Sequence, residues 1–224
     1  MTSAPRIGCA ILAAETSGGI DRDRQLLSVN GQSLAERVTL AACRSRVTRT
    51  AVIVRSRADE VAAAVSNLPV DIISSLVWPP GLAAAVRSAV GWARGRHYDG
   101  LLLVRIDEPS LSTSLLDALL VASQGGQQLV GADYDGVVGF PALFPRESYP
   151  RLEALTGDSD TRAIVEGADP EFPFLTVNVP RRVARAMAPA TRELTGEPRI
   201  AVEAALKDDR PRPRTRRGSR PVPT

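Results

Sequence analysis

The chain is poor in the residues that several large function classes require. Only two cysteines, Cys9 and Cys43, occur in 224 residues, in neither CxxC nor Cys/His spacing. That excludes a disulfide framework and a cysteine-built metal centre, and both read as buried free thiols of a reducing compartment. His97 is the only histidine. It follows the polar end of a predicted helix, so a surface position is expected and a hydrolase triad has no support. Lys207 is the only lysine, so chemistry needing a lysine amine in the folded body is excluded. No apolar run approaches the roughly 20 residues that cross a bilayer. The run Ile7 to Ala14 is apolar, but with only Arg6 before it and Glu15 after it, it reads as a buried strand rather than a signal peptide. A soluble, cytoplasmic protein with no membrane partner is expected. Neither GxGxxG nor GK[ST] is present, so dinucleotide and P-loop sites lack their phosphate-binding backbone.

What is present is a chain of 44% hydrophobic and 24% charged residues, long enough for one full-sized α/β domain or two small ones. The net charge of +3 is unevenly placed. Residues 207–224 carry seven basic and two acidic side chains, which leaves the rest of the chain at −2. That segment, with Pro211, Pro213, Pro221 and Pro223 among arginines, cannot build a core and is expected to be a disordered tail after a single domain of residues 1–206. Clustered arginines suit a phosphate backbone, but the tail has no aromatics for base stacking. A solvated tail is the preferred reading and no nucleic-acid partner is expected.

Between residues 7 and 190, short β-rich runs alternate with helical patterns, the signature of a layered α/β domain with a largely parallel sheet. Strands are expected at Ile7 to Ala14, Ala51 to Arg55, Val70 to Ser74, Gly100 to Ile106, Leu129 to Ala132, Val137 to Phe144 and Phe174 to Asn178. Helices are expected at Ser33 to Cys43, Ala58 to Ser66, Gly81 to Ala93, Ser112 to Ala122 and Glu147 to Leu155, with Ser33 and Ser112 as N-caps. A short helix at Thr161 to Val165 and one opened by Pro180 complete the reading. Asp133-Tyr134-Asp135-Gly136 is a turn signal that places an antiparallel hairpin within the parallel sheet.

Ligands of open α/β sheets lie beyond the carboxyl ends of the strands. After the first strand comes Glu15-Thr16-Ser17-Gly18-Gly19-Ile20-Asp21-Arg22-Asp23-Arg24, whose Ser-Gly-Gly can present amides to an anion. Asp107 closes the fourth strand in Arg105-Ile106-Asp107-Glu108-Pro109, where a carboxylate can hold a hard cation. In order along the chain, Leu12-Ala13-Ala14, Arg24, Gly31-Gln32-Ser33-Leu34, Gly81 to Arg87, Asp107-Glu108-Pro109, Gly139-Phe140-Pro141, Leu155 to Arg162 and Asn178-Val179-Pro180 form a collinear set. This set resembles the MobA-like nucleotidyltransferases, a family that includes the molybdenum-cofactor guanylyl- and cytidylyltransferases.

The resemblance implies a three-layer α/β/α sandwich of the glycosyltransferase-A, or nucleotide-diphospho-sugar transferase-like, type with a mostly parallel mixed sheet. It implies transfer of CMP or GMP from CTP or GTP to a phosphorylated small-molecule acceptor such as molybdopterin, with Mg²⁺ and release of pyrophosphate. Carried over by position, Arg24 and Arg22 would act as catalytic cations, and Ala13, Ala14, Ser17 and Gly81 would surround the nucleotide. Asp107 and Asn178 would hold the metal, while Asp158 and Arg162 would lie on the acceptor side. The chain departs from the pattern in the first loop, where Glu15 and Asp21 replace glycines, Gly19 replaces an arginine and Arg24 replaces a lysine. Carboxylates there repel a triphosphate by about 1 to 4 kcal/mol each at ~4 Å. The alternative is therefore a catalytically degenerate member that binds a ligand or a protein partner.

Overall fold

The computed structural model describes residues 4–13, 26, 28–29, 31–54, 58–75, 81–108, 111–157, 161, 164 and 174–179. Strand β1 (Ile7–Ala13) is buried along its whole length, as a strand covered on both faces must be, and so reads as one continuous apolar run. Its alternate residues divide between two cores. Ala10 and Leu12 join Ile53, Leu103 and the apolar side of α3 (Leu82–Gly95). Cys9, Ile11 and Ala13 join Val52, Val104 and the inner faces of α1 (Leu34–Cys43), α2 (Ala58–Val65) and α4 (Thr113–Ala122). The period of two in a strand thus creates the three layers.

The small pair β2 (Ser28–Val29) and β3 (Gln32–Ser33) turns at Gly31, whose φ of 83° suits glycine, and leads into α1. The main sheet also contains β4 (Arg49–Val54), β5 (Val70–Ser74), β6 (Gly100–Arg105), β7 (Val130–Tyr134), β8 (Val137–Pro145) and β9 (Leu175–Asn178). Its order is β5-β4-β1-β6-β8-β7-β9. Only β8 runs against its neighbours. The Asp-Gly turn is as expected: Asp135 and Gly136 have φ of 58° and 91°, and Asp133 accepts the Gly136 N–H at 2.6 Å.

Ser33 and Ser112 cap their helices as expected, accepting the amides of Glu36 and Leu115 at 3.1 and 3.2 Å. The expected helix over Glu147 to Leu155 is shorter: a 3₁₀ turn at Arg146–Ser148 precedes α5 (Tyr149–Glu153). Pro150 explains the break, since it lacks an N–H and is tolerated only in a first helical turn. His97 is exposed, as expected, while Cys9 is buried and Cys43 half-buried, both as free thiols. Burial pushes both thiols up in pKa, which keeps them protonated and unreactive. No helix of the described residues is long and apolar enough to cross a membrane.

Asp71 ties the edge strand β5 to the rest of the body. It accepts from Trp92 Nε1 at 3.0 Å and Arg49 Nη2 at 3.0 Å, and pairs with Arg96 at 2.7 Å. Burial alone would raise its pKa, but the Trp92 and Arg49 hydrogen bonds and the two guanidinium charges outweigh it and hold the carboxyl below its usual value. A lowered folded-state pKa contributes stability above the unfolded value of about 4 that is lost as pH falls through the folded one. Asp71→Asn is therefore expected to lower stability at neutral pH and to flatten the acid limb below about pH 4. Urea midpoints measured across that range for both proteins check this; parallel curves would refute it.

Candidate functional site

The parallel strands bring the carboxyl ends of β5, β4, β1 and β6 to one edge of the sheet. Ala13 ends β1 there and is buried. The adjacent Ile106 amide donates to the Leu12 carbonyl at 3.2 Å, which carries the β1–β6 pairing to the position just before Asp107. On the other side of β1, the Ser75 amide donates to the Val54 carbonyl at 2.8 Å. The Ser75 hydroxyl donates to the Ala84 carbonyl at 3.3 Å and accepts from Ser88 at 2.9 Å. These bonds fix the first turns of α3 at this edge. Gly81 caps α3 with a φ of 141°, a conformation that side chains with a Cβ rarely adopt. Ala13, Gly81 and Asp107 are thus assembled along one edge from three separate crossovers. Beside Ser88 in the same N-terminal half of α3, Arg87 donates to the Leu155 carbonyl and holds the segment after α5.

Arg105 is the residue at this edge that sequence reasoning passed over. It continues the row of Leu101 and Leu103 that faces α3, and residues two apart in a strand share a face. Its Nε donates to Asp107 Oδ1 at 2.8 Å and its Nη2 to Oδ2 at 2.6 Å. This is a bidentate fork that engages both carboxylate oxygens. The Asp107 side chain is 12% exposed and that of Arg105 36%. The available signal was the Arg-x-Asp spacing at a strand terminus.

Glu108, next in the chain, is buried. Its charge and, above all, burial push the pKa of Tyr134 upward, so the phenol is a fixed donor. It donates to the Phe140 carbonyl at 2.6 Å and braces the cis Phe140–Pro141 bond where β8 passes the end of β6.

Asn178 lies at the exposed end of β9, opposite Asp133. β9 lies three places from β6 in the order β6-β8-β7-β9, and Asp107 follows the end of β6. Mg²⁺ takes near-octahedral oxygen ligands, usually one or two carboxylates with water and substrate phosphates. Among the described residues no group of three His, Cys, Asp or Glu side chains is placed to hold an ion. With both Asp107 oxygens engaged by Arg105, these residues do not fit a divalent ion held by the protein alone. The expected site residues Ala14, Ser17, Arg22, Arg24, Asp158 and Arg162, the helix opened by Pro180 and the tail 207–224 lie outside the described residues.

Comparison with known proteins accords with this architecture. Rv0371c from Mycobacterium tuberculosis superimposes with a TM-score of 0.67 at 22% identity, covering 79% of this chain and 89% of that one. A manganese complex of Rv0371c gives 0.64, also at 22% identity and the same coverage. The 4-diphosphocytidyl-2C-methyl-D-erythritol synthase from Anaerococcus prevotii gives 0.64 at 14% identity over 91% of this chain and 97% of that one. At such identities the likeness is one of fold, that of the nucleotide-diphospho-sugar transferases. No curated protein matches the sequence. The family model described as the MobA-like NTP transferase domain matches residues 9–177, a span running from β1 through the edge that carries Asp107 to β9, and the chain belongs to that family.

Proposed function

We propose that the protein transfers CMP or GMP from CTP or GTP to a phosphorylated small-molecule acceptor such as molybdopterin, with release of pyrophosphate. The observation that supports this reading is the family match over residues 9–177, together with the alignment of Ala13, Gly81 and Asp107 along one strand-end edge. In-line phosphoryl chemistry asks the protein mainly for positioning and for fixed positive charge near the phosphates. In this reading Arg22 and Arg24 supply that charge from the loop after β1. Ala13, Ala14, Ser17 and Gly81 enclose the nucleotide, and Asp158 and Arg162 meet the acceptor. Asp107 and Asn178 face the ion brought in with the triphosphate. Mg²⁺ enters as the counter-ion of the triphosphate, part of the substrate. The catalytic domain is residues 1–206, working in the cytoplasm, with residues 207–224 as a tail. Incubation with CTP or GTP, Mg²⁺ and a panel of molybdopterin and sugar-phosphate acceptors is expected to release pyrophosphate. Silence across the panel would overturn the reading.

A second reading, a non-catalytic member that binds a ligand or a protein partner, is favoured by the Arg105 fork on Asp107 and by Glu15 and Asp21 in the first loop. Calorimetric titration with CTP and GTP separates the two. Tight Mg²⁺-dependent binding counts against the second.

A further inference from the structure

We propose that Arg105 is the resident cation of this site, and that its guanidinium closes Asp107 to divalent ions until the fork is opened. The inference deepens the nucleotidyl-transfer reading and rests on it for the choice of carboxylate. Three observations carry it. First, the contact is bidentate, at 2.8 and 2.6 Å, so neither carboxylate oxygen is left without a donor. Second, the pair is local: Arg105 is the last residue of β6 and Asp107 follows it by two positions in the turn, so the fork joins near neighbours in the chain. Third, no cluster of acidic or imidazole ligands among the described residues offers an ion another place.

An Arg–carboxylate fork and a metal–carboxylate bond compete for the same lone pairs. A divalent ion approaching Asp107 must first separate the guanidinium from its partner. Its apparent affinity therefore falls by the fraction of molecules in which the fork is open. The electrostatic consequence also differs. The guanidinium leaves the pair neutral, whereas a divalent ion would leave it with one positive charge.

The test is uptake of Mn²⁺ by the full-length chain without nucleotide, read from loss of the free-ion signal in electron paramagnetic resonance. The wild-type protein is expected to leave that signal unchanged at millimolar Mn²⁺. Arg105→Gln is expected to bind one Mn²⁺ at least about tenfold more tightly, and adding Asp107→Asn to that variant is expected to abolish the gain. Arg105→Lys keeps the charge but cannot form the fork, and is expected to gain uptake in the same direction, which preserves the test if the glutamine variant does not fold. Wild-type uptake that Asp107→Asn removes would overturn the inference, as would folded Arg105 variants that bind no better than wild type. Because the readout is ion uptake alone, the inference fails or stands separately from turnover: an inactive protein that behaves as expected here sinks the transfer reading only.

Discussion

Asp107→Asn is expected to lower nucleotidyl transfer by about 100- to 1,000-fold, the usual cost of losing one preorganised electrostatic element. The physical reason lies in the fork. The carboxylate holds the guanidinium of Arg105 by two bonds in a fixed plane, at the strand-end edge that also carries Ala13 and Gly81. An amide of the same shape offers one acceptor oxygen and no charge. The guanidinium then loses its orientation, and a cation that must reorganise during the reaction stabilises developing phosphate charge far less than a fixed one. The loss belongs mainly in kcat rather than KM, because the transition state gains more from fixed charge than the ground state does. Asp107→Glu, which restores the charge but shifts its position, is expected to recover part of the rate. Steady-state kinetics with pyrophosphate detection, paired with unfolding midpoints, decide the matter. A wild-type rate in a folded Asp107→Asn protein would remove Asp107 from the reaction.

The second large effect is on stability and falls on Gly8, near the start of the central strand. A Cβ built there would lie 2.5 Å from Tyr98 Cδ2 and 2.8 Å from Trp92 Cζ3. Neither ring is free to yield. They pack edge to face at 5.1 Å between centroids, Tyr98 is almost wholly buried, and Trp92 is further held by its bond to Asp71. Over-packing a rigid core costs about 1 to 3 kcal/mol. Gly8→Ala is therefore expected to lower the melting temperature by several degrees, at about 2 to 4 °C per kcal/mol for a domain of this size. Thermal and urea unfolding check it. An unchanged midpoint would show that the two rings move apart at little cost.

Gly8 also illustrates what could be read in advance. Within Ile7 to Ala14 it is one small residue in an apolar run, and nothing nearby in the chain announces that two aromatic rings more than 80 positions away will close over it. Arg105 is the opposite case. Its two-residue spacing from Asp107 is legible in the chain, but that the guanidinium folds back onto both carboxylate oxygens depends on the turn after β6, which the spacing alone leaves open. Asn178 is expected beside the metal through the resemblance alone, and its strand β9 stands three places from β6 in the sheet. The expected short helix after Gly157 is described only at Thr161, whose amide bonds back to the Gly157 carbonyl at 3.2 Å, and at Ile164.

The sequence by itself determined the layered α/β class, the order of strands and helices, the serine caps and the Asp-Gly hairpin. These features arise from side-chain periodicity and backbone preferences within a few residues, which the chain states locally. Tertiary structure alone decided the lateral order β5-β4-β1-β6-β8-β7-β9 and the closure of Trp92 and Tyr98 over Gly8. Each depends on hydrogen bonds and packing between segments far apart in the chain, and lateral strand order is the quantity that local patterning leaves free.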